Sequence, residues 1–410
     1  MTVDTAIRID TDKTVLDVIK DTTQEGLEDP FYVVDLGDIV YKYHLWKDLL
    51  PRAHPYYAVK CNDCPVVLEL LAALGAGFDC ASKREIDAVL KSGATSSSVI
   101  YANPCKTSSF ITYAASVGVN VMTFDNELEL HKIKKLFSQA KMVLRIRVDD
   151  SKSICQLGVK FGCDEQHVPS LLRVAKDLDL NVIGVSFHVG SGCQDAHAYA
   201  LALETSARVF TLAKILGFDF TFLDIGGGFP GFKEDAIRFK EISSVINEKL
   251  DRYFPITSGV EIIAEPGRYF TASAFTLCTN IIAKRELSFP NEDTMYYVND
   301  GLYGSFNCLI FDHAVITPLA YQMKTSAEDK LQKSSIWGPT CDGMDCILKS
   351  CYLPPLNIGD WILFENMGAY TISAASNFNG FEKPILKFIL SSSYEVSLPF
   401  FKKIVKEQHN

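Results

Sequence analysis

Tyr56-Tyr-Ala-Val59, Gly77-Phe-Asp-Cys80 and Val99-Ile-Tyr-Ala102 are short apolar runs, each followed by a longer segment with helical periodicity. The theme recurs at Asn120 to Phe124, Met142 to Ile146, Val182 to His188, Phe220 to Ile225 and Glu261 to Ala264. Parallel strands covered on both faces are apolar throughout, as these runs are. Eight β-then-α units between residues 55 and 265 predict an α/β fold whose core is a closed (β/α)8 TIM-like barrel, an architecture of about 250 residues. An open doubly wound sheet is the alternative. The intervening helices show their own spacing, with Glu85, Ile86, Val89 and Leu90 on one and Phe239, Ile242, Val245, Ile246 and Leu250 on another.

Beyond residue 275 the texture changes to strand-like runs, among them Phe275 to Ile282, Met295 to Val298, Trp361 to Phe364 and Ile385 to Ile389. The barrel is expected over residues 36–274. Residues 1–35, with the strand-like Phe31-Tyr-Val-Val34, and residues 275–410 are expected to build a β-rich domain.

The chain has 410 residues, 48% hydrophobic, enough for a large core, and its net charge of −10 gives no electrostatic footprint for nucleic acid. The N-terminus lacks the basic and apolar regions of a secretion signal, and no apolar run approaches the roughly 20 residues that span a bilayer, so a cytoplasmic location without a membrane partner is expected. Twelve cysteines lack the spacing of a disulfide framework and read as reduced thiols. Cys61-Asn-Asp-Cys64 has the gap of a zinc pair, but no second pair completes it, and no metal is expected.

In a parallel barrel, chemistry gathers at the C-terminal ends of the strands. Six runs place polar groups there: Lys60, Asp79, Arg145, His188, the Gly226-Gly227-Gly228 turn, and Glu265 with Arg268. A lysine at a strand end is partly desolvated, which favours an amine nucleophile, although a solvated lysine is the plainer reading. The glycine turn after the seventh strand suits phosphate, with Arg268 adding charge. Gly226, Gly228 and Gly231 also match a dinucleotide pattern, which Pro230 interrupts, and a purely structural turn stays open. Glu265 is a partner for a protonated ring nitrogen or a structural ion pair with Arg268; His188 is a stacking ring or a core imidazole. Near the C-terminal end, Trp337-Gly-Pro-Thr-Cys-Asp-Gly-Met-Asp345 presents Cys341 beside Asp342 in a Gly/Pro-shaped loop explained by neither helix nor strand propensity.

A nucleophilic lysine, a phosphate turn with an arginine, a carboxylate for a ring nitrogen and a stacking histidine describe a pyridoxal phosphate (PLP) site. Here the chain resembles the eukaryotic ornithine decarboxylase family, of the alanine-racemase-like PLP fold group. The matching segments are Tyr57-Ala-Val-Lys-Cys-Asn62, His188-Val-Gly-Ser-Gly192, Asp224-Ile-Gly-Gly-Gly228, Glu265-Pro-Gly-Arg268, Tyr297-Val-Asn-Asp-Gly301 and Trp337 to Gly343, in order. The resemblance implies decarboxylation of L-ornithine to putrescine for polyamine biosynthesis. It makes Lys60 the Schiff-base lysine, His188 the stacking ring and Glu265 the partner of the pyridine nitrogen. Ser191, Gly226, Gly227, Gly228, Gly267, Arg268 and Tyr370 hold the phosphate and ring, and Asp79, Glu85, Arg145 and Lys160 support the site. Cys341 becomes the proton donor, with Phe311, Asp312 and Asp342 around the distal ammonium of the substrate. It also implies a homodimer with shared active sites, in which the β-rich domain contributes to the dimer and the site.

Diaminopimelate decarboxylases resemble the chain as well, but tend to carry Cys-Glu where Cys341-Asp342 stands here. Lysine and arginine decarboxylases, a racemase without net CO2 release, and a non-catalytic homologue of the antizyme-inhibitor kind are the remaining alternatives. Three departures are visible: Phe311 in place of the frequent tyrosine, a short segment near Ser288 to Thr294, and a chain that stops at Asn410. With Thr112 where antizyme-binding relatives tend to have lysine, antizyme binding is expected to be doubtful.

Overall fold

The structure, a computed structural model, describes residues 9–287, 293–321 and 331–391. Most of the short segment near Ser288, and the chain end at Asn410, lie outside them. The described chain divides into two compact units: Lys42–Phe270, and residues 9–41 with 271–391.

The first unit is a closed, all-parallel barrel of eight strands, each followed by helix. They are β1 (His54–Ala58), β2 (Gly77–Cys80), β3 (Val99–Tyr101), β4 (Val121–Phe124), β5 (Lys141–Arg145), β6 (Asn181–Ser186), β7 (Phe222–Asp224) and β8 (Glu261–Ala264). Closure runs from β8 back to β1 through Ile263 opposite His54 and Ala264 opposite Pro55, which removes the open-sheet alternative. Tyr56, Ile100, Val143, Phe222 and Ile263 pack together as a buried cluster contributed by five strands. A Cβ at Gly184 would lie 1.8 Å from the Phe222 carbonyl oxygen, so β6 and β7 meet only because that position is bare.

The helices form where the apolar spacing predicts. Lys83–Lys91 begins at Ser82, whose hydroxyl accepts the Glu85 N–H at 3.2 Å and satisfies one of the donors left over at a helix start. It buries Ile86 and Val89. Ala236–Tyr253 buries Phe239, Ile242, Ile246 and Leu250, and Phe239 joins Trp46, Phe229 and Tyr269 in an aromatic cluster with ring separations of 4.5–6.3 Å.

In the second unit, nine strands of the described residues form one mixed sheet. Phe31–Asp35 lies between Phe275–Glu286, antiparallel, and Ile385–Ile389, parallel, so the chain's early segment is built into this sheet. Phe31 meets Trp361 edge to face at 5.2 Å within its core. Gln332–Trp337 pairs antiparallel with Cys346–Leu353. The cysteine loop is therefore a hairpin connection, and Trp337 is the last residue of the strand leading into it.

Candidate active site

The rim of the barrel receives each expected group from a different strand end. Lys60 sits in the single 3-10 turn Val59–Cys61 that follows β1, and its ammonium pairs with Asp79 Oδ2 of β2. The lysine is less enclosed than a position inside a strand: its side chain is 42% exposed, against 1% for Asp79, because the turn lifts it off the barrel wall. The other carboxylate oxygen of Asp79 is buried with no hydrogen-bond partner among the described residues. Glu85 accepts the Ala81 N–H at 2.5 Å, and burial, reinforced by Asp79, raises its pKa above the usual carboxylate value. Arg145, the last residue of β5, and Lys160 both lie over the Phe161 ring, at 5.2 and 4.9 Å.

His188 stands two residues beyond β6. Its Nδ1 accepts the Gly190 N–H at 3.0 Å, which assigns the ring proton to Nε2. Burial, then Arg145 and Lys60, push the imidazole well below its ordinary pKa. It is a neutral ring. The glycine turn after β7 packs against it: a Cβ at Gly227 would come within 2.8 Å of His188 Nε2 and 2.7 Å of the Glu265 carbonyl oxygen. Gly226 has φ 64°, and a Cβ there would strike the Phe187 carbonyl oxygen at 2.1 Å, so this corner requires glycine twice over. With a closed barrel around it, the turn is not part of a dinucleotide fold.

Glu265 follows β8 directly and is buried with Asp224, the last residue of β7. Asp224 Oδ1 accepts the Gly226 N–H at 2.8 Å; its Oδ2 and Glu265 Oε1 meet no donor among the described side chains and main chain. Burial pushes Asp224 up to about 7, and burial with the Asp224 and Asp79 charges pushes Glu265 well above its ordinary value. The two are thus neighbouring buried carboxyls, each pushed toward its neutral form. Arg268, the first residue of a four-residue helix after β8, donates to the Ser191 hydroxyl at 3.0 Å. A Cβ at Gly267 would lie 2.9 Å from Cys61 Cβ.

A stability test follows from the two raised carboxyls. Asp224 titrates near 3.8 when unfolded and at about 7 in the barrel. Between these values the folded state keeps a proton that the unfolded chain has released, so stability present below the lower value is lost as pH rises through the upper. His188 contributes the opposite slope below about pH 6.5, since the unfolded imidazole takes up a proton that the folded one refuses. Glu265, raised by burial and by the Asp224 charge, adds to the first slope, and Asp224→Asn should remove the Asp224 component and ease that of Glu265. Thermal melts of the cofactor-free protein between about pH 4 and pH 8 should show a smaller decline for the variant than for the parent.

The other expected residues belong to the second unit. Cys341 is exposed, and its N–H donates to Asn379 Oδ1 at 3.1 Å. Asp342 accepts the Tyr303 hydroxyl on Oδ2 and the Met344 N–H at 2.9 Å on Oδ1. These hydrogen bonds, that of Tyr303 first, hold its carboxyl below the usual carboxylate pKa. Tyr303 in turn stacks on Phe378 with centroids 4.2 Å apart. Asp312 is buried just past the short helix Cys308–Phe311, whereas Phe311 is 73% exposed. Tyr370 has φ 56°, a left-handed backbone seldom adopted by an aromatic residue. Sequence reasoning passed over Asp224, Tyr303 and Asn379. Asp224 stands two residues before the glycine turn, which was a readable signal; the other two act through hydrogen bonds between segments far apart in the chain.

The model of the "Pyridoxal-dependent decarboxylase, pyridoxal binding domain" matches residues 36–272. The chain belongs to the PLP-dependent decarboxylases of the ornithine decarboxylase type. It is 53% identical to ornithine decarboxylase of Mus musculus over 93% of this chain and 85% of that protein. It is also 54% identical to antizyme inhibitor 2 of Xenopus laevis, over 90% and 82% respectively. Among solved structures, the arginine decarboxylase of Paramecium bursaria Chlorella virus superposes with a TM-score of 0.87 at 37% identity, over 91% of this chain and all of that one.

The family's cofactor is pyridoxal phosphate, and the barrel residues suit it. The buried Glu265 Oε1 and Asp224 Oδ2, which meet no donor among the described residues, suit a protonated ring nitrogen. A lysine stands at the strand end, and a glycine turn, a serine and an arginine suit a dianionic phosphate.

Proposed function

We propose that the protein decarboxylates L-ornithine to putrescine and CO2. Bound at Lys60, PLP supplies the sink for the electron pair left as CO2 departs. Asp79 holds the Lys60 amine in place. Glu265, backed by Asp224, keeps the ring nitrogen protonated, and neutral His188 offers a flat face to stack on the ring. Ser191, Gly226, Gly227, Gly228, Gly267, Arg268 and Tyr370 hold the phosphate and ring environment, while Glu85, Arg145 and Lys160 support the surrounding wall. Cys341 delivers a proton from Sγ to the former α-carbon. Asp342 and Asp312, with Phe311 alongside, receive the distal ammonium.

The observation that carries this reading is Asp342, kept ionised by Tyr303 and the Met344 N–H immediately beside the thiol. An ammonium three methylenes from the reacting carbon needs an anion at that reach. A non-catalytic role is disfavoured by the retention of Lys60, Asp79, Arg145, Arg268, Asp312, Asp342 and Tyr370. Release of labelled CO2 from a panel of ornithine, lysine, arginine and diaminopimelate tests the assignment. Preference for anything but ornithine overturns it.

We further place the protein in the cytoplasm, in polyamine synthesis, as a homodimer in which the cysteine loop of one copy serves the barrel of the other. The spacing of the twelve cysteines, unlike that of a disulfide framework, suits a reducing compartment. Thr112 is exposed on Ser108–Ser116 and offers a hydroxyl rather than a charge, so weak antizyme binding is part of the proposal. Mixing Lys60→Ala with Cys341→Ala protein should restore activity through one intact hybrid site; no recovery despite confirmed subunit exchange would refute sharing.

A further inference from the structure

Asp345 closes the loop that carries Cys341 and Asp342, and it is 1% exposed although carboxylates are seldom enclosed without partners. Three donors converge on it. The Leu302 N–H reaches Oδ1 at 2.7 Å, and the N–H and hydroxyl of Thr340 reach Oδ2 at 3.1 and 2.7 Å. Its main chain is tied into the same loop, accepting the Gly338 N–H at 2.8 Å and donating to the Asp342 carbonyl oxygen at 3.0 Å.

The positions of these donors give the arrangement its meaning. Thr340 adjoins Cys341, and Leu302 adjoins Tyr303, whose hydroxyl holds Asp342. One carboxylate therefore joins the segment bearing the thiol to the segment that aims the neighbouring carboxylate. The surrounding chain makes room for it: a Cβ at Gly301 or Gly338 would lie 2.4 or 2.3 Å from Asp345 Oδ1. A hairpin between strands of six and eight residues needs no buried charge for closure, and an apolar residue of similar size commonly serves a purely structural role as well.

We propose that Asp345 is a positioning residue that pins Thr340 to the Gly301–Tyr303 turn and thereby fixes where Cys341 and Asp342 are delivered. This rests on the functional reading of those two residues given above.

The test uses PLP-loaded full-length protein with Asp345→Asn, which keeps the shape but turns an acceptor into a donor facing donors, and Thr340→Val, which removes only the hydroxyl. Asp345→Asn should raise KM for ornithine at least about 10-fold and lower kcat as well; Thr340→Val should do the same to a smaller extent. Putrescine should protect Cys341 of the parent from iodoacetamide, and protection at the same concentration should weaken in both variants. A merely structural role lowers the active fraction, so kcat falls while KM and protection stay at parental values. That result in Asp345→Asn, or in Thr340→Val where Asp345→Asn fails to fold, overturns the proposal. If the parent decarboxylates none of the basic amino acids, the functional reading fails separately, and altered Cys341 alkylation in the variants still reports the displaced loop.

Discussion

Replacing Lys60 with alanine should leave a folded protein that takes no borohydride label and releases CO2 on the order of 10⁴ to 10⁶-fold more slowly, the scale on which loss of a covalent nucleophile is felt. The expectation follows from position. Lys60 is lifted by the Val59–Cys61 turn to the mouth of the barrel, where its amine is partly exposed yet held by the enclosed Asp79. The stability cost should be about 2–4 kcal/mol, because Asp79 stays enclosed without its partner, although the half-exposed lysine limits what the pair contributed. Thermal melts of the variant beside its absorption spectrum separate the two effects. A Lys60→Ala protein that still forms a reducible adduct and turns over at the parental rate would remove the lysine from its assigned role.

Asp342→Asn should weaken the use of ornithine by about 3 kcal/mol, roughly 150-fold in kcat/KM, since a charged partner of the distal ammonium is lost. The deficit should fall mainly on KM, because the ammonium lies far from the bonds that change. Norvaline, the same carbon chain without the distal amine, is the informative comparison: the parent should discriminate strongly against it, and the variant should lose most of that discrimination. Equal loss for both compounds would mean that Asp342 supports the loop rather than the substrate.

Much of this was legible in the chain itself. The eight apolar runs became eight barrel strands, and those at Gly77–Cys80 and Glu261–Ala264 have the same limits in sequence and structure. A strand buried on both faces must be apolar along its whole length, and that pattern is local. The rim residues were legible for the same reason, since each follows its strand within a few positions. What escaped notice depends on contacts between distant segments. The strands flanking the cysteine loop carry polar residues, such as Lys333 on one and Lys349 on the other, so neither reads as a clean strand alone. The role of Asp345 exists only because Leu302 is brought to it from 43 positions away.

Sequence by itself determined the barrel, the β-rich remainder and the chemical inventory of a PLP site, because hydrophobic period and strand-end chemistry are properties of short segments. Only the tertiary structure decided the condition of those groups. Glu265 and Asp224 are pushed toward their neutral forms because burial removes the water that would stabilise two neighbouring charges, and His188 stays neutral because burial, with Arg145 and Lys60 after it, disfavours an imidazolium. Asp342 remains a carboxylate because Tyr303 folds onto it. Charge state and aim depend on the surroundings of a side chain, and folding creates those surroundings.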